Sequence, residues 1–161
     1  MNHFDESGNA VMVDVGGKPN TRRVATASSR VTMSSDAAAT IRRGDAGKGD
    51  VLAVARLAGI MGCKATPTLI PLCHPLAVDS VTVEFKWDDD QLCIIAEVAT
   101  IGRTGVEMEA MTAASVAALT VYDMIKSVDR WIEIGPTRLE RKTGGKSGEV
   151  VRDGSSLSTN C

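Results

Sequence analysis

Residues 106–128 read VEMEAMTAASVAALTVYDMIKSV, and between Ala110 and Ile125 the only charged residue is Asp123. A run of that length without Gly or Pro is too long for a strand, and its Ala content favours a helix. A helix so poor in polar residues must be covered by other elements. Its side chains are small, so the spacing predicts close helix-on-helix contact, within one subunit or between two. Aromatic residues make up only 3% of the chain, so the core must come from Val, Ile, Leu, Met and Ala. The 161 residues suffice for one domain, 1–161.

The remaining pattern supplies a sheet. Residues 78–87 alternate, with Val81, Val83, Phe85 and Trp87 on one face and Thr82, Glu84 and Lys86 on the other, which predicts a half-buried strand. Residues 88–91 make its turn, and 92–101 the partner strand of a hairpin. A first strand is expected at 21–33 and a last at 132–142. Ser34 or Ser35 caps a short helix over 36–43, which Gly44 ends. After a flexible turn at 44–50, Asp50 caps a second helix over 51–64, apolar nearly all round and so expected to be buried. Pro67, Pro71 and Pro75 punctuate residues 66–76, which predicts an ordered loop and no regular helix. Residues 102–105 (GRTG) are a turn before the long helix. With the short helix set aside, the order is βαββαβ, an α+β ferredoxin-like arrangement with an antiparallel sheet and its helices on one face. Residues 1–20 form an N-terminal arm, 21–142 the core, and 143–161 a Gly/Ser-rich loop and tail expected to fray at its end.

Charge and composition exclude several classes. A net charge of −2 leaves no basic excess for general nucleic-acid binding. No 18-residue uncharged run spans a membrane, and no N-terminal apolar stretch reads as a signal peptide. The four cysteines, 63, 73, 93 and 161, lack CxxC spacing, so neither a zinc ribbon nor a redox dithiol is written, and four free thiols in a reducing cytoplasm are expected. No metal site is expected.

Several side chains carry chemistry. Lys48 and Lys146 follow glycines, but neither completes a P-loop. Position 42 is Arg and position 49 Gly around the first, and position 140 is Glu before the second. Each lysine can still meet a phosphate or be a solvated turn residue. His74 lies between Cys73 and Pro75, held either at a site edge or by a backbone hydrogen bond. Asp123 and Lys126 are three residues apart on the long helix and can pair. Their apolar neighbours would lower the Lys126 pKa, and Asp123 would offset that. Glu107 and Glu109 suit the positive end of the helix dipole. Glu109 and Asp123 are about 40° apart around the axis but ~21 Å apart along it. Within one straight helix they cannot meet. They can meet if this helix packs antiparallel against its copy, through Ala110, Ala113, Ala114, Ala117 and Ala118.

Five segments in order, KGDVLAVARLAGI (48–60), LIPLCHP (69–75), TGVEMEAMTA (104–113), YDMIK (122–126) and GGKSG (144–148), strongly resemble the cyclic pyranopterin monophosphate synthase family, MoaC, of molybdenum cofactor biosynthesis. The likeness runs from about Met12 to Gly148. The resemblance implies a pyrophosphate-releasing lyase that rebuilds (8S)-3′,8-cyclo-7,8-dihydroguanosine 5′-triphosphate into a cyclic pyranopterin monophosphate. It also implies a ferredoxin-like homohexamer, a trimer of dimers with sites at the dimer interface. It assigns catalysis to Asp123, Lys126 and Lys48, and substrate contact to Leu72, Cys73, His74, Met108 and Glu109. Arg23, Glu107 and Lys146 match further polar positions of the pocket.

The chain departs from the family at Ala65, where a second basic residue is expected after Lys64, and at Cys63, where a small residue is usual. No redox cofactor is expected, since the rearrangement is electron-neutral; Mg²⁺ can accompany the triphosphate. The partner is a small molecule, not nucleic acid or a membrane. The competing class is a non-catalytic, oligomeric, nucleotide-sensing ferredoxin-like module. It explains the fold and the Gly-Lys turns but not an Asp–Lys pair among apolar neighbours.

Overall fold

The central strand is β1 (Thr21–Thr32), in a computed structural model that describes residues 4–153. It is followed by α1 (Ser35–Arg43), α2 (Val51–Leu69), β2 (Ser80–Asp88), β3 (Gln91–Gly102), α3 (Glu107–Ile125), β4 (Glu133–Thr143) and β5 (Val150–Val151). The sheet order is β2-β3-β1-β4-β5, with every pair antiparallel. Without α1 and β5 this is the ferredoxin-like arrangement that the element order predicts.

Local chemistry sets most boundaries. The Ser34 side chain accepts from Ala37 N and starts α1, while Gly44, at φ 70°, closes it. Asp50 accepts from Ala53 N at 3.0 Å and starts α2. In β3, Leu92, Ile94, Ala96 and Val98 point into the core and are fully buried. Val83, Phe85 and Trp87 of β2 join that core from the edge. Arg42 lies 4.2 Å over the Trp87 ring and Arg56 5.3 Å over Phe85, so the outer parts of these rings are capped by cations.

Three expectations are corrected here. First, α2 runs through Pro67 to Leu69. The proline costs one backbone bond, but its neighbours remain satisfied: Ile70 N bonds Thr66 O at 2.9 Å, and the Thr66 and Thr68 hydroxyls bond Gly62 O and Ala65 O. The buried Cys63 and Thr66 hold this last stretch against the core. Second, α2 is not covered all round, because Val54, Leu57, Met61 and Leu69 are exposed. Third, residues 143–153 are not simply a loop, since β5 pairs with Arg141 and Lys142 of β4.

The small residues of α3 are used inside the chain. Ala110, Ala113, Ala114, Ala117 and Ala118 are all fully buried. A Cβ on Gly62 of α2 would sit 2.8 Å from Val116, and one on Gly59 3.0 Å from the Ala113 carbonyl. Glycine therefore sets the spacing between α2 and α3. The alanine stripe is unavailable to a second copy. The solvent side of α3 carries Met111, Ser115 and Leu119 instead.

Among the described residues no helix is long and apolar enough to cross a membrane. Cys63 and Cys73 are free. Cys161 and the fraying expected at the end of the tail lie outside the described residues.

Candidate active site

The side chains singled out in the sequence gather at the two ends of α3. At its C-terminal end, Asp123 binds two lysines at once. Lys48 Nζ lies 2.8 Å from Asp123 Oδ2 and 2.8 Å from the Asp123 carbonyl, and Lys126 Nζ lies 2.6 Å from Oδ1. Lys48 sits in the turn before α2, so its contact ties that turn to α3. The two lysines hold the Asp123 carboxyl down to about 2, Lys126 first and Lys48 second. The hydrogen bond from Lys126 to Asp123 in turn raises the Lys126 pKa.

The sequence expectation sets a lowering by apolar neighbours against the pull of Asp123, and in the structure the pull of Asp123 prevails. Val121, Met124 and Ile125 are buried, whereas Asp123 and Lys126 lie on the exposed side of the same turns. At 100° per residue the apolar neighbours face away from the lysine, so desolvation is small and the carboxylate wins. Lys48, Tyr122, Lys126, Ser127 and Arg130 line a cleft of about 350 Å³ beside the triad.

At the N-terminal end of α3 lies a second cleft, of about 270 Å³, with Arg23, Arg103, Glu107, Lys142 and Lys146 among its walls. Arg23 is fixed by donating to the Gly102 and Arg103 carbonyls, each at 3.3 Å. Lys142 reaches Glu107 at 3.2 Å and donates to Ser147 at 3.0 Å. The Gly144–Gly145 pair closes this cleft at φ 97° and 70°. A Cβ there would strike the Arg22 carbonyl and the Arg23 guanidinium. Only glycine lets the loop carrying Lys146 approach so closely.

Next to this cleft, Glu109 is buried in the first turn of α3. Burial raises its pKa, and the charge of Glu107 adds to the effect. Its charge reaches two thiols: burial and then Glu109 push Cys63 up to about 11 and Cys73 upward as well. Leu72, Cys73 and His74 occupy the half-buried loop between α2 and β2, and Met108 is half-buried beside Glu109. His74 Nε2 donates to the Val13 carbonyl at 2.8 Å and ties the N-terminal arm to that loop. That is the backbone-bonded reading of this histidine. Lys64, beside Ala65, lines a separate cleft with Leu76 and Asp79.

The structure thus groups Lys48, Asp123 and Lys126 in one place, and Arg23, Glu107 and Lys146 in another. Within α3, Glu109 and Asp123 stay ~21 Å apart. Sequence reading missed Lys142, Arg103 and Arg130. Lys142 ends the last strand of the sequence reading, and only its register opposite Ala25 and its reach to Glu107 reveal it.

The raised pKa of Glu109 has a consequence for stability. A carboxyl whose folded pKa exceeds its unfolded value stabilises the fold below the unfolded value and loses that contribution as pH rises through the folded one. At neutral pH the buried charge costs stability. Glu109→Gln should therefore raise the melting temperature at pH 7.5 by a few degrees, the usual scale of a single substitution in a domain of this size. Below about pH 4, where both side chains are neutral, the two proteins should melt together. An equal gap at both pH values would show that ionisation of Glu109 is not the cause.

Known proteins resemble this chain over most of its length. A sequence model described as the MoaC family matches residues 12–145. A protein of Pelobacter propionicus named cyclic pyranopterin monophosphate synthase is 58% identical over 155 residues, covering 95% of this chain and 97% of its own length. Proteins of the same name from Rhodopirellula baltica and Bacillus velezensis are 55% and 52% identical, covering 94% and 96% of this chain and 93% and 94% of their own lengths. The matched span takes in the cleft beside the triad and, but for Lys146 and Ser147, the walls of the other, and on that ground the chain belongs to the MoaC family.

Proposed function

We propose that the chain is a pyrophosphate-releasing lyase that converts (8S)-3′,8-cyclo-7,8-dihydroguanosine 5′-triphosphate to cyclic pyranopterin monophosphate, in molybdenum cofactor biosynthesis. The observation that carries this reading is the Lys48–Asp123–Lys126 triad at 2.6–2.8 Å, in a chain 52–58% identical to proteins named for that synthesis. The triphosphate is held by cations: Lys48, Lys146 and Arg23, with Lys142 added. Lys126, an ammonium at neutral pH, gives a proton in the ring rearrangement and takes one back. Glu107 or Glu109 accepts N–H bonds from the guanine-like edge. Leu72, Cys73, His74 and Met108 shape the wall near Glu109. The reaction needs no resident redox cofactor, because ring rearrangement with loss of pyrophosphate is electron-neutral. Mg²⁺ enters, where it does, as a companion of the phosphate oxygens.

One site needs both clefts, so it is shared by two protomers. A two-fold axis crossing α3 near Ser115, midway between Glu107 and Asp123, brings the start of one helix to the end of the other. The face that meets the copy is Met111, Ser115 and Leu119, the last 58% exposed. It is not the buried alanine stripe. Such dimers assemble as a trimer of dimers, and the cytoplasm, where GTP is available, is the proposed compartment.

The test is pyrophosphate release on incubation with the cyclised GTP intermediate, with the pterin product followed in parallel. Stoichiometric release supports the lyase. Binding of the intermediate without release would favour the nucleotide-sensing module instead.

A further inference from the structure

The turn that follows α3 carries a cation that the triad does not use. In the cleft lined by Lys48, Tyr122, Lys126, Ser127 and Arg130, both lysines are engaged by Asp123, at 2.8 and 2.6 Å. Among the described residues no carboxylate pairs with the Arg130 guanidinium. Three cations against one carboxylate leave this cleft net positive.

The backbone around Arg130 is anchored. The Asp129 carboxylate accepts from Ser34 N at 2.8 Å and from Trp131 N at 2.9 Å, so it joins the turn to the start of α1. The Tyr122 hydroxyl donates to the Arg130 carbonyl at 3.5 Å. A planar five-donor fork on a pinned turn suits two oxygens of one phosphate, where an ammonium serves only as a point charge.

We propose that Arg130 is an anion-binding residue of this site, taking the phosphate oxygens that leave as pyrophosphate. The assignment rests on the activity proposed above for its substrate, but its primary test does not require turnover. Inorganic pyrophosphate is titrated calorimetrically into the full-length protein and into Arg130→Ala, Arg130→Lys and Arg43→Ala. Arg43 on α1 is not among the walls of this cleft, is paired with Asp45, and controls for net charge. Arg130→Ala should bind pyrophosphate about tenfold or more weakly, the effect of removing one charge-assisted hydrogen-bond donor, and Arg130→Lys should recover part of that affinity. Arg43→Ala should match the parent protein. In turnover, KM for the triphosphate substrate should rise by a similar factor, by more than kcat falls, with the pH profile unmoved.

Equal pyrophosphate affinity in the parent and Arg130→Ala overturns the proposal. So does an equal loss in Arg43→Ala, or a parent protein that binds no pyrophosphate. A parent that binds pyrophosphate through Arg130 yet releases none from the cyclised GTP intermediate would leave Arg130 as an anion site and remove the lyase reading.

Discussion

Lys126→Arg should lose pyrophosphate release by about 100-fold or more, the usual contribution of a positioned acid–base group, with its melting transition unmoved. The arginine keeps the positive charge and can still pair with Asp123 three residues back, so a purely electrostatic role would survive. It will not give up its proton near neutral pH. Lys126→Ala should fail as well, and it too should fold, because the pair is half exposed and such pairs contribute little to stability. Near-normal turnover in the arginine variant would show that Lys126 acts only as a charge.

The environment of Lys126 fixes its starting state. The hydrogen bond to Asp123 raises its pKa, so the group is protonated in the resting enzyme and begins as an acid. Any stabilisation from this pairing is present below the ordinary lysine pKa and is lost only as pH rises through the raised one. Asp123, at about 2, would lose its share only in strong acid. Across the neutral range the triad is a fixed arrangement of charges. In the proposed reaction the proton can leave Lys126 once substrate draws the Asp123 carboxylate away from the ammonium.

Much of this is legible in the amino-acid sequence. The caps at Ser34, Gly44 and Asp50, the alternation of Val81, Val83, Phe85 and Trp87, and the buried run in α3 are local signals, and local chemistry decides those elements. The Asp123–Lys126 pair is legible because helix geometry fixes the i,i+3 relation. What is not legible depends on distant partners. Pro67 stays helical because Cys63 and Thr66 are packed from outside α2. Ala113, Val116 and Ala117 of α3 meet α2 because Gly59 and Gly62, about fifty residues earlier in the chain, leave room for them. Lys142 and Arg130 belong to clefts that no single segment outlines. The direction of the Lys126 shift escapes a sequence reading because nearness in sequence to Met124 and Ile125 is not nearness in space.

The geometry that most needs explanation is the ~21 Å between Glu109 and Asp123, two residues assigned to one small substrate on one straight helix. The most direct measurement mixes two inactive proteins, Glu109→Ala and Lys126→Ala, in equal amounts under conditions that exchange subunits, with exchange followed by mass. Half of the dimers are then heterodimers, each with one site carrying both lesions and one site intact. About a quarter of the parent activity should return. A mixture that exchanges subunits and stays inactive would contradict the shared site and require both ends of α3 to serve substrates of their own protomer.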